Sequence, residues 1–165
     1  MIIKRIICNV RPEQRQDFSE AQQKWEKLRD VDGFIGQIGG WCKEDESCAY
    51  IVALWNSREE YDAFMENEHD AIYEAGQQAD TFEEITIDLF DAVVEPLRDI
   101  EAEAISIHEG LLPFLGGGDL VGYHMDDKRR YIIISWHQGP GDVLVQLEDA
   151  WRVSNGHHES KEFSD

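Results

Sequence analysis

The sequence is short of basic residues, of cysteines and of long apolar runs, and each shortage excludes something. Fifteen Lys and Arg stand against 35 Asp and Glu, a formal net charge of −20 over 165 residues. So acidic a surface repels phosphate backbones, which excludes nucleic acid as a partner. No apolar stretch approaches the ~20 residues of a membrane helix, so no membrane partner is expected. Met1 leads straight into a strand-like segment, and no export signal is legible. The only cysteines are Cys8, Cys42 and Cys48, an odd number. Ordinary reduced packing and a cytoplasmic location are therefore expected, with a cross-strand Cys42–Cys48 disulfide the lesser alternative. Their spacing matches no zinc pattern, so neither a metal nor another cofactor is called for.

What is present is a real core. Hydrophobic residues make up 42% of the chain and include five Trp, which argues against disorder. Residues 2–10 are β-branched and alternate in character, which predicts a strand. Ile2, Ile6, Cys8 and Val10 share one face with Lys4, while Ile3 and Ile7 share the other with Arg5 and Asn9. Pro12 suits a first helical turn, and Phe18, Ala21, Trp25 and Leu28 carry helical spacing across 12–30. Gly33 then takes the C-terminal cap. Strands Phe34–Cys42 and Ala49–Trp55 form a hairpin, with Gly36, Gly39 and Gly40 predicting a bulge or a close backbone approach. Ser57 and Glu60 make a capping box for a second helix, and alternation over 83–90 gives a fourth strand.

The order strand, helix, strand, strand, helix, strand is the ferredoxin-like βαββαβ arrangement, an α+β fold. It fills residues 1–90. Residues 91–154 read as a degenerate second copy, an αββα repeat completing a pseudo-dimer, followed by a polar tail over 155–165. Val94-Glu95-Pro96 echoes Val10-Arg11-Pro12, Leu120–Met125 resembles Gln37–Cys42, and Tyr131–Trp136 matches Tyr50–Trp55. Leu97, Ile100, Ala104, Ile107 and Leu111 predict a helix over 96–112, preferred to a strand over 102–108. Leu144, Leu147 and Trp151 predict a final helix with no clear strand after it.

The strand 2–10, the Asp32-Gly33-Phe34 turn, the Trp55-Asn56-Ser57 junction and a helix carrying His69 resemble the antibiotic-biosynthesis-monooxygenase-like family. The likeness is nearest to its uncharacterised bacterial members of the YdbC type. Asp32 stands where the family has proline. The resemblance implies two sheets packed face to face as an α/β barrel, either in a homodimer or, given the second copy, within one chain. It also implies a ligand site between sheet and helices. Haem-degrading members use an Asn on the first strand with a Trp and a His on the second helix. Here Asn9 matches the first, but Phe64 and Glu74 stand at the other two positions, which breaks the set.

Two functions stay open. In the first, a small apolar pocket performs cofactor-independent oxygenation of an aromatic or polyketide-like molecule. His69, on the face of Met65 and Ile72, is its acid/base; Asn9 and Arg5 hold a developing oxyanion. Trp41, beside the space left by Gly39-Gly40, lines that pocket with Tyr73 and Phe64, and Trp55 belongs to the core. In the second, the same fold is a non-catalytic ligand-binding or regulatory module. The acidic charge gathers on the second helix: eleven acids and no Lys or Arg lie between Glu59 and Asp88.

Overall fold

A computed structural model describes residues 1–93, 101–113, 117–136 and 141–155. Strand β1 (Ile2–Asn9) leads into a 3-10 turn at Pro12, helix α1 (Arg15–Gln23) and a 3-10 segment (Lys24–Asp30). Gly33 follows with φ +84°, the left-handed conformation that its position in the cap predicts. Strands β2 (Phe34–Cys42) and β3 (Cys48–Trp55) form the hairpin, with a register shift between Phe34 and Gly36. The backbone N–H of Glu60 donates to Ser57 Oγ at 3.2 Å, capping helix α2 (Arg58–Asn67). Glu68 interrupts the helical path, and α3 (His69–Gly76) follows before β4 (Glu84–Ala92). The second half contributes β5 (Ala104–Leu111), β6 (Leu120–His124), β7 (Arg130–Ser135), β8 (Val143–Leu147) and β9 (Val153–Ser154).

These strands close on themselves. The order β3-β1-β4-β6-β7-β5-β8-β2 returns to β3, with each neighbouring pair antiparallel, so a barrel forms within one chain. Closure removes the open edges that would otherwise invite pairing with another molecule. Each half shows the same internal order of fourth, first, third and second strand: β4-β1-β3-β2 and β8-β5-β7-β6. The C-terminal half is thus a second ferredoxin-like sheet, and β4–β6 and β2–β8 are its two seams with the first. Gly40 is required at one seam. A side chain there would run into the backbone oxygen of Gln146 on β8.

Two expectations for the second half are corrected. Ala104–Leu111 is a strand paired with β7 and β8, not part of a helix over 96–112. Ile105 and Ile107 obey a period of two, and each is buried in the barrel. The first residues of that helix, 96–100, lie outside the described residues. Val143–Leu147 is likewise a strand, in which Val145 and Leu147 point inward and Leu144 is exposed; the predicted final helix reduces to one 3-10 turn at Asp149–Trp151. A short last strand, β9, does follow and pairs with β2. Among the described residues, the second sheet therefore repeats the strands of the first without its α-helices. Among the described residues its αββα description gives way to strands and one 3-10 turn.

The cysteines are also corrected. Cys42 and Cys48 are joined as a disulfide across the hairpin, where antiparallel pairing brings their Cα atoms to 5.4 Å; Cys8 is free and buried. The bond removes the reduced-thiol argument for a cytoplasmic setting. Among the described residues, no helix is long and apolar enough to cross a membrane.

The barrel interior is apolar at its centre, around Ile3, Val52, Phe90, Ile107, Ile132 and Val145. Toward one end it carries an ion-pair cluster joining the halves. The Arg5 guanidinium donates to Asp88 Oδ2 at 2.7 Å and to Glu109 Oε1, and Tyr50 donates its hydroxyl to Glu109 Oε2 at 3.1 Å. His124 bonds Asp88 Oδ1 at 2.7 Å through Nε2, while its Nδ1 accepts from the backbone N–H of Asp126. Burial works against the Arg5 charge, but the Glu109 hydrogen bond and the nearby carboxylates outweigh it and raise the pKa. Burial likewise opposes ionisation of Asp88, and the His124 and Arg5 contacts outweigh it, holding the carboxyl below its ordinary value.

Glu109→Ala leaves Arg5 buried with one carboxylate fewer. Because Glu109 is partly exposed, the expected loss in urea unfolding is about 2 kcal/mol, less than for a fully buried pair. Asp88, with its depressed pKa, contributes stability above the ordinary carboxylate range and loses it as pH falls through the folded value. Asp88→Asn is therefore expected to flatten acid destabilisation below pH ~4, read as urea midpoints across that range.

Candidate functional site

The alternation of β1 divides two environments. Ile3 and Arg5 enter the barrel; Lys4, Ile6 and Cys8 face the helices and line a cleft there. Its opposite wall comes from Trp25 and Leu28 in the 3-10 segment, Phe64 on α2, and His69 and Tyr73 on α3. The cleft is partly open to solvent and offers about 60 Å³ of free volume. Ile85 and Ile87 of β4 lie at its edge and are nearly half exposed, at 44% and 46%. An apolar cleft with a few polar groups is what small-molecule sites require.

Most polar groups in the walls are satisfied. Trp25 donates its indole N–H to Gln78 Oε1 at 2.7 Å, and Gln78 donates from Nε2 to Gln22 Oε1 at 2.8 Å. Two donors are not. Lys4 is 6% exposed, and its Nζ lies 3.9 Å from Met65 Sδ and 5.0 Å from the centroid of the Tyr61 ring. Among the described residues no carboxylate pairs with it. Burial pushes its pKa down to about 8, so the amine is still largely protonated at pH 7. Gln37 on β2 is 7% exposed, and its Nε2 has no hydrogen-bond partner. Lys4 and Gln37 both pair in register with Ala53, so all three form one row across the sheet, with the small alanine between the two donors.

His69 opens α3. Its ring stacks on Tyr73 at 5.8 Å with an interplanar angle of 14°, and Trp25 and Phe64 lie 5.3 and 5.9 Å away. Nδ1 is 3.1 Å from Asp70 Oδ1, which leaves Nε2 as the second proton site. Burial raises the Tyr73 hydroxyl pKa, with a smaller push from Cys8. The Cys8 thiol is itself pushed up to about 12 by burial, so it is not a nucleophile at neutral pH.

The structure therefore brings together three of the six expected site residues: His69, Tyr73 and Phe64. It does not bring Arg5, Asn9 or Trp41 to them. Arg5 is on the barrel side of β1 and committed to Asp88 and Glu109. Asn9 ends β1 exposed on that same side, so the haem-degrading set is not assembled either. Trp41 packs against Phe18 and Trp151, with the Arg15 guanidinium 4.2 Å above its ring. The space expected beside it is taken: Trp151 and Ile51 abut Gly39, and β8 abuts Gly40. Trp55, assigned to the core, does both jobs, being 1% exposed and part of the cleft wall.

Sequence reasoning missed Lys4 and Gln37. Lys4 had a signal, as the lone cation in the otherwise apolar row of Ile2, Ile6, Cys8 and Val10. Gln37 had none, because β2 is buried on both faces and shows no clean period.

The profile of a family described as "Domain of unknown function (DUF4937)" matches residues 2–90. The uncharacterised protein YdbC of Bacillus subtilis (strain 168) is 42% identical over 93 residues, 55% of this chain and 78% of that protein. Among solved structures, a "putative monooxygenase" from Lactobacillus acidophilus NCFM superposes with a TM-score of 0.65 at 9% identity, covering 94% of this chain and 96% of that one. A "putative antibiotic biosynthesis monooxygenase" from Nitrosomonas europaea gives 0.50 at 16% identity, covering 57% of this chain and all of that one. The first likeness spans both sheets. In the second, a whole protein corresponds to little more than half of this chain. The fold is thus that of the antibiotic-biosynthesis-monooxygenase-like proteins, duplicated within one chain.

Lys4→Met tests the buried cation. Between pH 8 and 10.5 the unfolded chain keeps a proton on Lys4 that the folded chain has released, so wild-type stability rises with pH in that window. Below it, the charged amine costs the fold about 3 kcal/mol. Lys4→Met is expected to be the more stable protein at pH 7, with the gap closing by about that amount at pH 10.5 in urea unfolding.

Proposed function

We propose a function for a chain that belongs to the DUF4937 family: cofactor-independent monooxygenation of a small aromatic phenol or enol in the cleft between the first sheet and its helices. The observation that carries it is the position of His69, a proton acceptor set among aromatic rings in an apolar cleft. The fold shared with monooxygenase-named structures supports the reading.

The chemistry needs little else. His69 takes the proton of the ring hydroxyl, which leaves an electron-rich anion. That anion gives electrons to dioxygen, and a new C–O bond forms at a ring carbon. The O–O bond then breaks, the second oxygen leaving as water with the ring hydrogen and the proton held on His69. With 1-naphthol the balance is one naphthol and one O2 to one 1,4-naphthoquinone and one water. Trp25, Phe64 and Tyr73 hold the ring by stacking and keep bulk water from the anion. Arg5, Asn9 and Trp41 have no part in this scheme. The first sheet, residues 1–90, carries the whole site, and residues 91–154 act as its built-in dimer partner. A monomeric chain, its barrel closed within itself, is the working unit.

Incubation with 1-naphthol in metal-chelated buffer without flavin is expected to consume one O2 per quinone formed. His69→Ala is expected to lower that rate 10²- to 10⁴-fold, the usual contribution of a positioned base. No oxygen uptake across a panel of phenols and enols, with the cleft still able to bind them, would favour the non-catalytic ligand-binding module.

A further inference from the structure

The cleft holds two desolvated donors: among the described residues Gln37 Nε2 has no partner, and Lys4 Nζ has only the thioether sulfur of Met65, a weak acceptor, at 3.9 Å. The Lys4 ammonium is buried against Met65 and Tyr61 and pairs with no carboxylate among the described residues. The Gln37 Nε2 is buried and unpartnered. Polar groups in such positions are ordinarily satisfied, and a buried cation ordinarily has a counter-ion. The two lie on the same face in one row, two strands apart, with Ala53 between them. At about 4.8 Å between neighbouring strands their backbones are roughly 10 Å apart. A flat ring over the alanine can therefore meet both donors at its edge.

The other titratable groups lining the cleft supply no negative charge. Cys8 is held as a thiol, Tyr73 as a phenol, and His69 is neutral or cationic. Of the acids of α2 and α3, Glu59, Asp62, Glu66, Asp70 and Glu74 are exposed, and Glu60 is partly buried with its carboxylate accepting from the Ser57 hydroxyl. An anion entering the cleft therefore finds a cation and a donor and no competing carboxylate. The same two donors would also hold the charge that forms when a neutral phenol loses its proton to His69.

We infer that Lys4, with Gln37 across Ala53, is the anion-recognition element of the cleft, and that its ligand is a small planar phenol or enol bound as the oxyanion. The inference rests on the cleft being the binding site and extends that reading to substrate class. It gives Lys4 a role distinct from that of His69: the histidine moves the proton, and the lysine holds the charge left behind.

The probes are 4-nitrophenol, whose ionised form is coloured, its uncharged analogue 4-nitroanisole, and 4-nitrobenzoate. Wild-type protein is expected to bind 4-nitrophenolate at least 10-fold more tightly than 4-nitroanisole, and also more tightly than 4-nitrobenzoate. Lys4→Met is expected to abolish the preference over 4-nitroanisole while leaving 4-nitroanisole binding unchanged, and Gln37→Leu to weaken it several-fold. A second readout needs no variant: bound 4-nitrophenol should ionise at lower pH than free, seen as colour appearing on binding. Equal binding of phenolate and ether, a preference that survives in Lys4→Met, or ionisation shifted to higher pH would each overturn the inference. Preference for 4-nitrobenzoate would overturn the ligand class. Failure to bind any of the three would overturn the site itself, whereas anion-selective binding without oxygen uptake would leave this inference standing and remove the monooxygenase reading.

Discussion

The alternation of side chains along β1 is the constraint from which the rest follows. Odd-numbered residues enter the barrel, where Arg5 meets Asp88 and Glu109 and ties the first sheet to the second. Even-numbered residues face the helices, where Lys4, Ile6 and Cys8 floor the cleft. A strand has no third direction, so Arg5 and Lys4, adjacent in sequence, belong to different chemistries. Arg5 is a structural cation paired with two carboxylates. Lys4 is a buried cation with no carboxylate partner among the described residues.

Duplication gives the barrel a particular economy. A single ferredoxin-like sheet has one face to cover with helices and one face that needs another sheet. In this chain the second sheet supplies that cover through β4–β6 and β2–β8 pairing, and it does so without α-helices of its own among the described residues. Among the described residues, α-helices, and with them this cleft, lie on one side only. The two halves have therefore diverged into a half that carries the candidate site and a half that completes the barrel. The fifth Trp-bearing segment, around Trp151, crosses back to pack on Phe18 and Trp41, so the second half also buttresses the outer layer of the first.

Much of the first half was legible because its signals are local. Pro12, Gly33 and the Ser57–Glu60 cap mark element boundaries, and strong alternation or helical spacing fills the spans between them. In the second half the signals conflict. Ile105 and Ile107 fit a strand, while Leu97, Ile100, Ala104, Ile107 and Leu111 fit a longer helical pattern; sheet closure from β7 and β8 decides for the strand, and closure is a tertiary fact. The same is true of Val143–Leu147, where Leu144 and Leu147 mimic a helical pair. The site was half legible. His69, Tyr73 and Phe64 follow from helix periodicity, but the face that Arg5 and Asn9 occupy could be assigned to the cleft or to the barrel only once the sheet's two sides were known. Trp41 failed for a similar reason, since the space left by Gly39-Gly40 is filled by Ile51 and by Trp151 and β8, the last two about a hundred positions away.

The acidic surface fits this division. Its densest part, from Glu59 to Asp88, lies on the helices and strand around the cleft, yet the lining of the cleft carries the Lys4 cation and no carboxylate. An anionic ligand would thus pass an acidic exterior to reach a cationic interior, which favours a small molecule whose charge forms on binding over one already charged in solution. The most direct test is a crystal structure of the protein with 4-nitrophenol in the cleft. The account predicts the phenolate oxygen within hydrogen-bond distance of Lys4 Nζ and the ring over Ala53 among Trp25, Phe64 and Tyr73. A ligand inside the barrel at the Arg5 cluster, or one in the cleft with its oxygen turned away from Lys4, would contradict it.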